Sequence, residues 1–437
     1  MTHKGPAPDS RTGTVYVASR LVVDAERVFA PGAVAVSDGV VLLAGPKSEV
    51  LRTVPASYPV RELPGAAILP GLVNAHTHLQ IPRFAGATGE PLPIPSSFVD
   101  WLLDVIAWRV QASPFAVPSI FTAAAREALS FGTTTVGEIA GPDLSVYESC
   151  PLRARVFAEG IGFAPESAPM VQAIVREAVR RLEEVSAGNP LVVPGVSPHT
   201  LYTVGKELLR SLGDLAASKK LPACIHLAES LAESGFLADG GGEIATRLYP
   251  AVGQDVSWFH GIGRPIPAYL KEAGFLREGL LLAHNVHLAP SEIDALREGG
   301  ARFVLCPRSN KAHGNGDPDV THFVDAGIPF ALGTDSLGSV GELDLWEEIR
   351  LARSLYKGKM DDPALCRELV RAATANGAAA LSLPGGTLDQ GAPADFVAVD
   401  DPGDEEGDFF TELVERTERS NVRLTVVAGR IAHGEAA

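Results

Sequence analysis

The sequence predicts an α/β protein: a (β/α)8 TIM barrel with a small composite β-sandwich domain built from the two ends of the chain. Three observations predict it. Through the middle of the chain, eight short apolar runs alternate with stretches of helical periodicity, the sign of a parallel sheet with crossover helices. At both ends, β-rich runs are separated by Gly, Pro and Asp turn residues. The length of 437 residues, with 46% hydrophobic and 21% charged residues, suits one large barrel plus a smaller domain. The expected division places residues 1–66 and 386–437 in the β domain and 67–385 in the barrel.

Taken in order, Thr14-Val15-Tyr16-Val17-Ala18, Ala33-Val34-Ala35-Val36 and Val40-Val41-Leu42-Leu43-Ala44 read as strands of a small antiparallel sheet. The pattern returns at 395–399 and 422–429. Neither set is long enough to make a good sandwich alone, so the two ends are expected to pair. The eight barrel strands are expected at 68–75, 134–139, 155–161, 191–197, 223–226, 279–284, 302–306 and 330–334. Helices over 117–131, stopped by Gly132, and over 168–184 carry apolar residues at helical spacing. The Gly- and Pro-rich stretch 81–97 is long for a barrel connection and is expected to cover a substrate.

The formal net charge of −16 argues against a nucleic-acid surface, which needs a basic stripe to displace counterions. No run of about 18 apolar residues occurs and the N-terminus has no signal-like segment, so no membrane span or secretion is expected. Cys150, Cys224, Cys306 and Cys366 form no CxxC pair and read as reduced, buried thiols of a cytoplasmic protein. HExxH, GxSxG and the cytidine-deaminase zinc signature are all missing.

In such barrels the active site lies at the C-terminal ends of the strands. The first expected strand delivers His76 and His78 there, the fifth His226, the sixth His284 and the eighth Asp335. Residues i and i+2 of a strand share a face, so His76 and His78 converge on one point. Imidazoles and a carboxylate are donors for a divalent ion, zinc first, with iron or manganese as alternatives. Glu229, three residues past His226, is placed to face a water on that ion and move protons. Taken singly, Glu229 also reads as a helix-start acid and Asp335 as a turn residue.

The segments Pro70-Gly71-Leu72-Val73-Asn74-Ala75-His76-Thr77-His78, His226 to Glu229, Ala283-His284-Asn285-Val286-His287-Leu288, Cys306-Pro307-Arg308-Ser309-Asn310 and Gly333-Thr334-Asp335-Ser336 resemble the metal-dependent amidohydrolase superfamily. They resemble in particular its aminohydrolase branch of chlorohydrolases and nucleoside, guanine and cytosine deaminases. The similarity spans nearly the whole chain, Gly391-Ala392-Pro393-Ala394-Asp395-Phe396 matching the return into the β domain. The resemblance implies that His76, His78, His226 and Asp335 ligate one metal, that His284 contacts the hydrolytic water or the oxyanion, and that Glu229 shuttles protons. No lysine stands at the third or fourth strand end, where two-metal members carry a bridging one, so a single ion is implied. The implied reaction is attack by metal-bound hydroxide on an amino-bearing ring carbon, Asp335 taking the water's proton, with release of ammonia.

For the substrate, His199 at the fourth strand end resembles the substrate-contacting histidine of adenosine-like deaminases, and Trp101 and Phe98 are placed to pack on a flat ring. His260, His287 and His313 lie at no strand end and read as structural. Methylthioadenosine and S-adenosylhomocysteine deaminases present a glutamate to the ribose after the first strand; here Ile106-Ala107-Trp108-Arg109-Val110 has an arginine instead, which counts against those substrates. Arg109, Arg155 and Arg308 are candidates to offer a planar fork to a substrate carboxylate, a structural ion pair being the competing reading of each. A carboxylate-bearing adenine nucleoside points to a resemblance with aminofutalosine deaminases, with aminodeoxyfutalosine as the model substrate. A chlorohydrolase or cyclic amide hydrolase would use the same ligands, and a non-catalytic scaffold would keep the barrel without the chemistry. The expected partner is a small molecule, with no nucleic acid or membrane, and a homodimer is expected by analogy.

Overall fold

The computed structural model describes residues 13–85, 92–95, 97–111, 113–403 and 407–435. Of the expected covering loop, residues 86–91 and 96 lie outside the described residues. The strands in chain order are β1 (Gly13–Val22), β2 (Val28–Phe29), β3 (Gly32–Ser37), β4 (Val40–Pro46), β5 (Val60–Pro70), β6 (Leu72–Thr77), β7 (Thr133–Ile139), β8 (Arg153–Gly160), β9 (Val192–Pro198), β10 (Ala223–Leu227), β11 (Leu280–His284), β12 (Arg302–Leu305), β13 (Phe330–Leu332), β14 (Phe396–Asp400), β15 (Val422–Val427) and β16 (Arg430–Gly434). They form two eight-stranded sheets.

The first sheet joins both ends of the chain in the order β16-β15-β14-β5-β1-β3-β4, with β2 on β1. It is mixed rather than antiparallel: β5 runs parallel to β1, Val15 standing opposite Val60. The helix Lys47–Thr53 lies in the connection and brings the chain back to enter β5 in the same direction as β1, which a hairpin turn could not do.

The strand expected over 68–75 is two strands in two sheets. Ile68 pairs with Leu21 and Ala398 in the first sheet, and β6 starts the barrel only at Leu72. Gly71 makes the transfer; a Cβ there would stand 2.2 Å from the Thr134 side chain. Both halves are apolar and fully buried, so hydrophobicity alone carries no mark of the break.

The second sheet runs β6 to β13 in sequence order, each neighbouring pair parallel. Helices on its outside bury one stripe each; in Ala168–Gly188 these are Val171, Val175, Val179, Leu182 and Val185, at the spacing of one helical face. Inside, Val73, Ile139, Phe157, Cys224, Leu281 and Val304 pack with Ala378 and Leu381.

Polar side chains close the seam between β6 and β13. Asn74 donates to Thr334 Oγ1 at 2.7 Å and accepts the Thr334 N–H at 3.0 Å. Just above, the Asp335 N–H donates to the His76 carbonyl at 3.0 Å and Thr77 Oγ1 donates to the Asp335 carbonyl at 2.8 Å. Gly333 allows this approach, since a Cβ there would lie 2.8 Å from the His76 Cβ. Among the described residues no helix is long and apolar enough to cross a membrane. All four cysteines are buried free thiols.

Candidate active site

At the C-terminal mouth of the barrel the backbone leaves several strands in the left-handed region. Ala228, His284, Asn285 and Asp335 have φ of 51°, 76°, 58° and 61°. L-residues rarely adopt that conformation, and it clusters at sites where side chains must be aimed. Here it turns the chain immediately after β10, β11 and β13, where His226, His284 and Asp335 stand.

The side chains meet. The His76 ring lies 5.1, 4.7 and 5.3 Å from the rings of His78, His226 and His284. His78 Nε2 is 3.2 Å from His226 Nε2, and Asp335 Oδ1 is 3.5 Å from His78 Nε2 and 3.9 Å from His76 Nε2. The donor atoms of His76, His226 and His284, and those of His76, His78 and Asp335, each lie within 4.8 Å of one another. Both His76 ring nitrogens and His284 Nε2 are buried without a hydrogen-bond partner.

Burial, then the neighbouring imidazoles, hold His76, His78 and His226 well below the usual histidine range, and burial brings His284 down to about 4. Neutral imidazoles with orphaned nitrogens, beside a carboxylate, are the donor set a divalent ion needs, and the residues fit one.

The supporting bonds orient each donor. His226 Nδ1 faces the His199 carbonyl at 2.8 Å, which assigns its proton to Nδ1 and leaves Nε2 as the donor atom. His284 Nδ1 faces Asn310 Oδ1 at 3.0 Å, with the same consequence. Asp335 Oδ2 accepts hydrogen bonds from Ser309 and Ser339, both at 2.7 Å, so Oδ1 faces the histidines. Glu229 takes a bond from Asn315 Nδ2 at 3.3 Å, and its Oε1 lies 3.7 Å from His284 Nδ1. Burial, with the charges of Asp335 and Glu233 added, pushes the Glu229 carboxyl well above the usual range.

These groups sit on the floor of a cavity of about 250 Å³. Its walls are mostly apolar, with Leu102, Val105, Phe163, Leu248 and Tyr249 among them.

A model of the amidohydrolase family matches residues 67–432. The chain belongs to the amidohydrolase family. It is 32% identical over 433 residues, 96% of this chain and 91% of the other, to a 5-methylthioadenosine/S-adenosylhomocysteine deaminase of Nitratidesulfovibrio vulgaris. It is 34% identical over 363 residues, 79% of this chain and 80% of the other, to an aminodeoxyfutalosine deaminase of Deinococcus radiodurans. Among solved structures, an adenosine deaminase from Xanthomonas campestris with bound zinc superposes with a TM-score of 0.80 at 26% identity, over 97% of this chain and 93% of that one. The Helicobacter pylori aminofutalosine deaminase shares the fold, with a TM-score of 0.80 at 19% identity over 97% of this chain and all of that one.

In this amidohydrolase the six residues expected at the strand ends, His76, His78, His226, Glu229, His284 and Asp335, are all buried at the barrel mouth. His199, Trp101 and Arg109 line the cavity. His199 Nδ1 is tied to Thr203 Oγ1 at 2.8 Å, and the Trp101 ring packs between Phe98 and His313. His260, His287 and His313 are absent from the cavity wall.

Arg155 and Arg308 are corrections: neither guanidinium reaches the cavity. Arg155 lies near the start of β8, at the opposite end of the barrel from the histidines, and donates to the carbonyls of Leu381, Pro194 and Ser382. Arg308 turns away to the carbonyls of Val340, Glu342 and Asp344. Each is spent on backbone acceptors from remote segments, contacts that sequence spacing does not encode.

The sequence reading missed Ser309, Ser339, Asn310 and Asn315, which hold the ligands and the acid. It also missed Glu138, which accepts the Leu79 N–H and the Tyr147 hydroxyl, both at 2.9 Å, and so anchors the chain just after His78. Burial pushes the Glu138 carboxyl up to about 8. Ser309 and Asn310 lay inside a motif already singled out, and Ser339 stands one helical turn after Asp335; that spacing was the available signal.

Proposed function

We propose that the chain is a metal-dependent aminohydrolase that replaces the exocyclic amino group of an adenine nucleoside derivative by oxygen, releasing ammonia. The observation that carries this reading is the buried Glu229, whose carboxyl burial pushes well above the usual range, beside a cluster of imidazoles and Asp335 on the floor of a cavity. Sequence similarity to deaminases over most of the chain supports the same reaction.

His76, His78, His226 and Asp335 would hold one ion, zinc first. Such an ion, when bound, supplies Lewis acidity and brings the ionisation of water down toward neutral pH. The other steps belong to the chain. Asp335 Oδ1 takes a proton from the attacking water, its other oxygen being fixed by two serine hydroxyls. Glu229 gives its proton to the ring nitrogen next to the attacked carbon, which lets that carbon accept the oxygen. His284, with its proton turned to Asn310, offers Nε2 as an acceptor that orients the water. The proton held on Asp335 then passes to the amino group, which leaves as ammonia, the proton still on the attacking oxygen returns to Glu229 as the carbonyl forms, and the balance is water plus amine to carbonyl plus ammonia. Trp101 and His199 in the wall are placed to stack on and bond the base.

The test is ammonia release from adenosine derivatives by the metal-loaded protein, followed together with the loss of adenine absorbance. Glu229→Gln is expected to lower kcat by about 10²- to 10⁴-fold while the substrate still binds. Release of chloride from a chlorotriazine, or ring opening of a cyclic amide, without ammonia from any purine would overturn the deaminase reading. A purified protein that takes up no metal would favour the scaffold.

A further inference from the structure

Glu229 stands where the chain turns sharply out of β10, and a second buried carboxylate holds that turn. Leu227 is the last residue of the strand, Ala228 takes a φ of 51°, and the helix Leu231–Asp239 begins just after Glu229 and Ser230. The carbonyls of the turn are taken by the exit from β11: the Asn285 N–H donates to Leu227 at 3.0 Å and the His287 N–H to Ala228 at 2.9 Å. The N–H groups are taken by Glu233, of which Oε1 accepts from Ala228 at 3.1 Å and Oε2 from Glu229 at 2.8 Å. Glu233 is fully buried. A carboxylate out of water is costly unless donors meet it, and the donors that meet this one are the two N–H groups of the turn.

The same residue also reads as part of a helix cap. Ser230 and Glu233 have the S-x-x-E spacing of a capping box, and Ser230 Oγ accepts the Glu233 N–H at 3.1 Å. In that motif the glutamate returns to the N–H of the cap residue itself. Here it passes Ser230 and reaches Ala228 and Glu229 instead. Half of the box therefore serves the helix, and the other half fixes the main chain of the acid. The Glu229 side chain is held separately, by Asn315.

We propose that Glu233 is a positioning residue for Glu229, fixing the backbone from which the acid reaches the ring nitrogen of the substrate. The inference rests on the deaminase reading and adds to it the residue that aims the acid. Glu233 lies outside the cavity wall, so it acts only through the turn. Its two oxygens each accept one N–H, and neither near substitute reproduces that. Glutamine keeps one acceptor and turns an NH2 donor toward the other N–H. Aspartate keeps both oxygens on a side chain one methylene shorter.

The experiment is a double-mutant cycle on the metal-loaded protein, with adenosine and 5′-methylthioadenosine as substrates and metal content measured on every sample. Glu233→Gln and Glu233→Asp are each expected to lower kcat by about 10- to 100-fold, with KM within about twofold and metal content unchanged, because a misplaced acid slows the step without loosening the substrate. Added to Glu229→Gln, either is expected to cost less than about twofold more, since residues that act as one unit do not add. Ser230→Ala removes the cap and leaves both N–H bonds of the turn. It is expected to lower Tm and to keep kcat within about twofold of wild type. An unchanged kcat in both Glu233 variants, the same fold loss in the Glu229→Gln background, or an equal loss in Ser230→Ala overturns the inference. So does failure of both Glu233 variants to fold, which makes Glu233 a residue of the helix start. Each of these outcomes leaves the deaminase reading intact, whereas a wild type that releases no ammonia from either substrate removes both.

Discussion

Asp335 shows how much of the site depends on side chains that touch no substrate. Its Oδ2 accepts from Ser309 and Ser339, which leaves only Oδ1 toward His76 and His78. Partners of this kind orient the ligand, and losing one typically costs 10- to 100-fold in activity or metal affinity. Ser309→Ala is expected to sit near ~10-fold in kcat, because Ser339 keeps its bond. Steady-state kinetics with a metal analysis of the same sample reads both effects; an unchanged kcat at full occupancy would leave the serine a packing residue only. The histidines were legible in the sequence because an imidazole at a strand end has few other uses. Serines are not legible in that way, since a hydroxyl looks the same whether it caps a helix, bonds its own turn or holds a ligand. The arginines mislead for the opposite reason: a long side chain with several donors finds its acceptors wherever the fold puts carbonyls.

At the scale of the element, the barrel strands were readable and their edges less so. Seven of the eight expected strands overlap an observed one of the same sheet, whereas 68–75 hides a change of sheet at Gly71. Two buried apolar strands joined by one glycine look like one strand, because period-2 alternation vanishes when both faces are covered. Likewise nothing local announced that β5 would run parallel to β1. Arg155 belongs to this scale, since it joins β8 to β9 and to the segment after helix Ala375–Ala380. Burial brings its guanidinium down to about 10, still protonated at neutral pH. Arg155→Met removes the donors of the buried Leu381 and Pro194 carbonyls and of the partly buried Ser382 carbonyl, and a loss of stability on the order of 3 kcal/mol is expected. At a temperature where the variant stays folded, kcat/KM should match wild type. Denaturant unfolding beside kinetics separates the roles: a selective loss of activity on acid-bearing substrates, with stability unchanged, would return Arg155 to the substrate.

For the whole molecule, the seam between the first and last strands of the barrel is thinly paired. The ladder runs from β6 round to β13, and the closing contacts are the Asn74–Thr334 pair and the Thr77–Asp335 bridge. The proposed ligands straddle this line: His76 and His78 come from one side, Asp335 from the other, and His226 from across the mouth. An ion held by all four would tie the seam as a clip ties a loop, and binding to the folded state alone stabilises by RT ln(1 + [M]/Kd), about 2.7 kcal/mol at a hundred times Kd. Removing the ion with a chelator is therefore expected to lower Tm, and adding back zinc to restore it. The loss should be local as well as global. Exchange of the Asp335 amide, bonded to the His76 carbonyl, is expected to accelerate more than that of amides in the first sheet, such as Val15 and Tyr16. Thermal unfolding and hydrogen exchange on matched metal-loaded and chelated samples read both. A chelated protein shown to be metal-free, with the same Tm and the same seam protection, would mean that Asn74 and Thr77 hold the barrel closed on their own and that the ion serves chemistry alone.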